Sequence, residues 1–267
     1  MPELPEIETI KRDLEDIVIG KRIKDVEVKV ARVIKEPRVE DFIKGVQGKE
    51  IREILRRGKV LILRLSAQYL VIHLRMTGQI VYSDKQEKSK VAFLLSDGKY
   101  LNFLDQRVMG EIRLLKDWQE LPFIKQMGLE PLDKEFTLRR FQEILKGKKT
   151  KIKPLLMEQG FIAGIGNLYA AEILFRAKVS PLRSADSLTL IEIEKVYLAI
   201  KEVLQEGIRY RGSSVDTYRD AHGEKGNFGK RIKVYGREGK PCFECGNPIK
   251  KITLGGRGTY FCPICQK

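Results

Sequence analysis

The sequence predicts an α+β protein in two domains: a β-sandwich carrying an amino-terminal helix, then a helical half that ends in a zinc finger. Three observations lead there. From Arg22 to Leu115 short apolar stretches of strand length alternate with turns. Beyond Pro131 apolar residues recur at helical spacing behind recognisable caps. All four cysteines lie in one cluster near the carboxyl end. At 267 residues the chain is long enough to bury two cores.

In chain order, a first helix is expected from about Pro5 to Val18. Ile7, Ile10, Leu14, Ile17 and Val18 share one face, and Gly20 ends it. Strands follow. Val26, Val28 and Val30 alternate, Val60–Leu63 and Tyr69–Ile72 are apolar runs, and Asp97-Gly98 turns a hairpin between Val91–Leu95 and Tyr100–Leu104. Many short strands separated by turns imply two stacked sheets. The stretch Gln119–Asp133, holding Pro122, Gly128 and Pro131, is the expected boundary. Thr137 can cap a helix over Leu138–Leu145. Thr189 and Glu192 form a capping box for one bearing Ile193, Val196, Ile200, Val203 and Leu204. Between them the glycine-rich Gly160–Asn167 opens into a helix over Leu168–Ala177. Backbone N–H groups at such an opening can grip a phosphate, although most glycine loops merely turn the chain.

Charge sharpens the division. The formal charge is +15, and a split after Pro131 leaves 25 bases and 21 acids (+4) before it and 26 bases and 15 acids (+11) after it. A polyanion held mainly by the second part fits that asymmetry; a basic but inert surface is the alternative. There is no apolar run of transmembrane length and no amino-terminal signal pattern, so a cytoplasmic protein with reduced thiols is expected. In that setting Cys242-x2-Cys245-x16-Cys262-x2-Cys265 predicts a tetrahedral zinc site rather than two disulfides. Four thiolates leave no open position, so the metal is expected to be structural.

The chemistry is read from the amino terminus, Met1-Pro2-Glu3-Leu4-Pro5-Glu6-Ile7-Glu8. Once Met1 is removed, Pro2 is a secondary amine with a carboxylate beside it. An α-amine titrates near about 8 against about 10.4 for lysine, so more of it is neutral and nucleophilic at pH 7. Its carbonyl adduct is an iminium, which carries charge without a proton and draws electrons strongly. The plainer reading is a helix start, with proline in the first turn and acids at the positive dipole end.

The octapeptide resembles the opening of the bacterial formamidopyrimidine-DNA glycosylase family, bifunctional enzymes that excise oxidised purines and nick the strand. The likeness extends over essentially the whole chain. It includes Arg57-Gly58-Lys59, His73-Leu74-Arg75-Met76-Thr77-Gly78, Gly164-Ile165-Gly166-Asn167, Val234-Tyr235-Gly236-Arg237 and the cysteine cluster with Arg257. It implies a helix–two-turns–helix domain for the second half and a zinc-finger β-hairpin at the end. The expected domains are 1–131 (catalytic β-sandwich), 132–236 (helical, DNA-binding) and 237–267 (zinc finger). The implied partner is duplex DNA containing oxidised bases, bound by a monomer in the bacterial cytoplasm, at the nucleoid.

The resemblance also implies roles. Pro2 would attack the anomeric carbon and Glu3 would carry protons. Lys59 would meet the lesion-side phosphate or base, and Glu6 would tune this group or simply cap the helix. Met76, with Arg107 and Met109, would fill the gap left by the extruded nucleotide; ordinary core filling is the alternative for Met76. His73, Lys153, Asn167 and Arg257 complete the DNA contacts. Thr217–Phe228, with Gly223 and Gly226, is expected to be a mobile loop able to close over the base.

Two departures stand out. The family's usual Asp-Pro-Arg-Arg-Phe-Gly reads here Asp105-Gln106-Arg107-Val108-Met109-Gly110, and Ala171 replaces a customary aspartate. The first bears on reading of the opposite strand, the second on local packing. Three rival functions are a non-catalytic nucleic-acid binder, an amino-terminal-proline enzyme acting on small carbonyl compounds, and a pyrimidine-lesion glycosylase of the same superfamily. The second has no use for the basic half or the zinc.

Overall fold

The computed structural model describes residues 1–215 and 217–267. They form two compact units, Met1–Lys125 with Gly207–Gly229, and Gln126–Glu206 with Lys230–Lys267. The sequence division at 131 and 236 keeps residues 207–229 in the helical part. In the structure they cluster with the first unit instead, because Arg211, Ser213 and Ala221 bond to side chains of its first helix.

The first unit is a two-sheet sandwich. Helix α1 (Leu4–Val18) leads into β1 (Ile23–Val28), β2 (Ile34–Glu36) and α2 (Val39–Val46). Then come β3 (Ile51–Arg57), β4 (Val60–Leu65), β5 (Gln68–His73), β6 (Gly78–Ser83), β7 (Val91–Leu95), β8 (Tyr100–Asp105), β9 (Glu111–Leu115) and the short α3 (Pro122–Lys125). One sheet has the order β1-β7-β8-β6, the other β2-β9-β5-β4-β3, with β2 parallel to β9 and every other pair antiparallel. Their inward residues, among them Phe93, Leu101 and Phe103 from one sheet and Leu61, Leu70 and Ile112 from the other, share one core with Ile7, Ile10 and Leu14 of α1. Helix α2 was not expected. Its Phe42 and Val46 are buried at helical spacing within the stretch read as strands and turns.

The second unit contains α4 (Leu138–Leu145), α5 (Ile152–Met157), α6 (Asn167–Ala177), most of α7 (Leu190–Arg209) and the hairpin β10 (Lys250–Leu254) and β11 (Arg257–Phe261). Thr137 caps α4 as expected, its hydroxyl accepting from the Arg140 N–H. Thr189 and Glu192 exchange capping bonds ahead of α7. The hairpin turns on Gly255 and Gly256, both at positive φ (56° and 71°), the backbone a two-residue turn of this hand demands. Ala171 packs in a buried cluster with Phe175, Val234, Cys242 and Ile249, so its side chain serves the seat of the cysteine module.

Candidate nucleic-acid site

Within the first unit, the amino terminus is fixed by its own acids. Glu3 and Glu6 form a reciprocal capping box, in which the Glu3 N–H donates to Glu6 Oε2 at 2.8 Å. Both are buried, 5% and 3% exposed. Glu6 has a second duty: its Oε1 accepts the N–H of Ser213 at 2.8 Å, tying the helix start to the loop after α7. Pro2, itself buried, lies immediately before this pair. Capping and tuning were alternatives for Glu6 in the sequence; the side chain caps and also anchors a distant segment.

The turn that carries Lys59 is fastened to the same helix. Arg56 Nε donates to Glu8 Oε2 at 2.9 Å and its Nη1 to the Gly58 carbonyl at 3.0 Å. Burial pushes the Glu8 carboxyl up, but Arg56 and Arg12 together hold it below its ordinary value. Gly58 takes a positive φ of 54° and turns β3 into β4, leaving Lys59 7% exposed. Across β4 and β5, Val60 pairs with His73. The His73 Nδ1 accepts the Arg75 N–H at 3.0 Å, which places its proton on Nε2. Burial, with Arg75 and Lys59 nearby, lowers its pKa to about 4, so the ring is neutral at pH 7.

One carboxylate organises the next loop. Asp105 accepts the N–H groups of Arg107, Met109 and Gly110 at 3.1, 2.7 and 2.6 Å, and the Thr77 hydroxyl as well. Thr77 also accepts from the Arg107 N–H. The turn bearing Met76 and the loop bearing Arg107 and Met109 are thereby bonded together. Met76 is half-buried and outside the core cluster, while Arg107 and Met109 are exposed. Val108 sits at φ 51°, a conformation that β-branched residues rarely adopt.

The loop expected to be mobile is docked. Ala221 O accepts the Tyr82 N–H at 2.8 Å, Thr217 O accepts from Gln79 Nε2, and the Asn227 and Phe228 N–H groups close the neck on Tyr210 O and Gly212 O. A Cβ at Gly226 would collide with the Arg211 and Gly212 carbonyls, so only glycine lets the two neck strands approach. The Ser213 hydroxyl is buried without a hydrogen-bond partner among the described residues. Neither Glu6 nor this loop neck was legible as a pair, because 207 residues separate Glu6 from Ser213.

In the second unit, the glycine-rich stretch does lead into a helix start. Gln159 holds it: Oε1 accepts the Gly164 N–H at 2.9 Å, and Nε2 donates to the Met157 and Ile165 carbonyls, each at 2.8 Å. Asn167 opens α6. Its Oδ1 accepts from Lys153 Nζ at 2.5 Å and its Nδ2 donates to Gly258 O at 3.1 Å. Lys153, only 1% exposed, also donates to Thr259 Oγ1 at 2.9 Å. Three predicted elements thus meet: the α5 lysine, the α6 asparagine and the hairpin. Arg257, at the hairpin's start, is exposed.

The four cysteines carry no disulfide. Their sulfurs all lie within 4.8 Å of one another, with Cys242–Cys265 at 3.9 Å and Cys245–Cys262 at 3.4 Å. Tetrahedral Zn–S bonds of about 2.3 Å place sulfurs about 3.8 Å apart, and a disulfide about 2.05 Å, so the set fits one structural zinc. Gln266 braces the second knuckle, its Oε1 accepting the Cys262 N–H at 2.9 Å.

Comparison with known proteins agrees along the length. Residues 1–112 match the formamidopyrimidine-DNA glycosylase N-terminal domain, 127–219 its H2TH domain, and 239–267 a zinc finger found in FPG and IleRS. The formamidopyrimidine-DNA glycosylase of Pelotomaculum thermopropionicum is 44% identical, covering 100% of this chain and 99% of its own. That of Bacillus cereus is 40% identical at the same coverage. The MutM (Fpg) crystal structure from Thermus thermophilus superposes with a TM-score of 0.90 at 38% identity, covering 99% and 98% of the two chains. A Lactococcus lactis Fpg complex with abasic-site DNA gives 0.92 at 36%, covering 99% of each.

Proposed function

Because the chain belongs to the formamidopyrimidine-DNA glycosylase family, we propose that Pro2, freed of Met1, is its nucleophile and Glu3 its proton carrier. The activity is base-excision repair: a DNA glycosylase with AP lyase activity, removing oxidised purines such as 8-oxoguanine and formamidopyrimidines from duplex DNA. The observation that carries the residue assignment is the capping box, which holds the buried Glu3 carboxylate beside Pro2.

The reaction follows from those groups. The nucleotide is extruded, at a cost of a few kcal/mol, and Met76 with Arg107 and Met109 fills the gap. The Pro2 nitrogen attacks the anomeric carbon and the base departs with the bond's electron pair, taking a proton delivered through Glu3. Ring opening gives an iminium. The iminium acidifies the neighbouring sugar carbon; loss of that proton expels the 3′ phosphate, and a second elimination expels the 5′ phosphate. Lys59 and the neutral His73, whose Nε2–H is a donor, bind lesion-side phosphates. In the second unit Asn167 and Arg257 grip the backbone, with the Lys153 charge behind Asn167. The zinc holds the hairpin. The chain works as a monomer in the cytoplasm, at the nucleoid, and its domains run 1–131, 132–236 and 237–267.

The test is reductive trapping. Borohydride added during reaction with an 8-oxoguanine duplex should lock enzyme to DNA through Pro2, and with an oxidised-pyrimidine duplex much less. Cross-linking at Lys59 overturns the assignment, and stronger trapping on the pyrimidine lesion favours the sister branch.

A further inference from the structure

We propose that Arg211 is a positioning residue for base excision: its guanidinium, clamped between Asp13 and Asp220, sets the register in which the loop neck at Ser213 meets the amino terminus. The inference rests on the functional reading above.

Arg211 lies at φ 60° and is followed by Gly212 at φ 76°. Two successive left-handed residues make a sharp reversal, and glycine or asparagine would adopt the first more cheaply than arginine. The side chain accounts for the choice. Its Nε donates to Asp220 Oδ2 at 2.9 Å, and its Nη2 donates to the same oxygen at 2.5 Å and to Asp13 Oδ2 at 2.7 Å. Both carboxylates are buried, so without the guanidinium two desolvated anions would face each other. Each then shapes the loop. Asp220 Oδ1 accepts the His222 and Glu224 N–H groups at 3.0 and 2.9 Å, and Asp13 Oδ2 accepts the Ala221 N–H at 3.3 Å.

The clamp leads directly to the site. The residue after the reversal is Ser213, whose N–H reaches the Glu6 carboxylate that also holds the Glu3 N–H. A Cβ at Gly212 would stand 2.8 Å from Glu6 Cγ and Oε1, so the neck has no slack there. Where Arg211 is pinned, Ser213 meets the Glu6 carboxylate, and through it Glu3, in one register. Arg211 touches none of the reacting atoms itself. Its loss should matter where a base must be held, and little where the base is already gone.

The experiment compares native enzyme with Arg211→Gly, Arg211→Lys and Asp13→Asn in two single-turnover assays. One follows base release from a formamidopyrimidine duplex, the other nicking of a pre-formed abasic duplex. Arg211→Gly relieves the backbone and loses the guanidinium, and Asp13→Asn leaves the loop sequence intact. Both should slow base release about tenfold or more while leaving abasic nicking within about twofold, and Arg211→Lys should restore part of the loss. Equal losses on both substrates, no loss on either, or melting of both variants below assay temperature overturns the inference. Inactivity of the native enzyme on both duplexes overturns the functional reading instead.

Discussion

At the amino-terminal corner of the first unit four acids are buried, Glu3, Glu6, Asp13 and Asp220, none more than 7% exposed. At the head of α6 in the second unit a base is buried, Lys153, which donates to the Asn167 amide oxygen and the Thr259 hydroxyl. The first set accepts backbone N–H groups and one guanidinium, which fixes a chain terminus and a loop in place. The second sets a lysine on the first residue of a helix and on the hairpin, which places a positive charge beside a helix start. Proton chemistry needs the one arrangement and polyanion binding the other.

The widest separation between the corners comes from blocking Pro2. Retaining Met1 turns the amine into an amide, and both base release and nicking should fall at least about a thousandfold while lesion-duplex affinity holds. A comparable loss of affinity would merge the two roles. Removing zinc should do the converse. Four thiolates supply about 10–16 kcal/mol of folding free energy in isolated fingers. Cys262→Ser or chelation should therefore release the hairpin from Asn167 and Lys153 and abolish DNA binding. The first unit's melting should stay in place, as two-transition calorimetry would show.

Glu3→Gln keeps shape and loses the proton carrier. Base release should drop about a hundredfold and nicking of a pre-formed abasic site far less. Within the second unit, Arg257→Ala should flatten the log–log salt dependence of affinity by about one contact. Lys153→Ala should lower affinity further, because it also frees Asn167. The smallest effect concerns His73. Its folded pKa of about 4 lies below the ordinary 6.5, so the unfolded chain takes up the proton first as pH falls between those values. Stability should decline on acidification through that window, and His73→Asn should flatten the decline in pH-dependent melting.

Much of this was legible in the sequence because the signals were local. The capped helices, the Asp97-Gly98 turn and the paired cysteines each declare themselves within a few residues. A shared DNA role for Lys153 and Asn167 was implied by motif resemblance, whereas their mutual bond and their joint seat on Thr259 and Gly258 were not, since 106 positions separate Lys153 from Thr259. The docked state of 217–228 was missed for a different reason. Glycines at 223 and 226 suggested freedom, but Gly226 is there for close approach and the loop is held by main-chain bonds that no side-chain pattern reveals.

Asp105 bears on how such an enzyme diversifies. Among the described residues its carboxylate bonds main-chain N–H groups of residues 107, 109 and 110 and the hydroxyl of Thr77, so these bonds do not depend on the side chains that follow. Residues 106–109 are therefore an exchangeable cassette on a fixed mount. Val108 and Met109 occupy that mount here, which makes the segment the natural place to graft another tetrapeptide and read what it transfers.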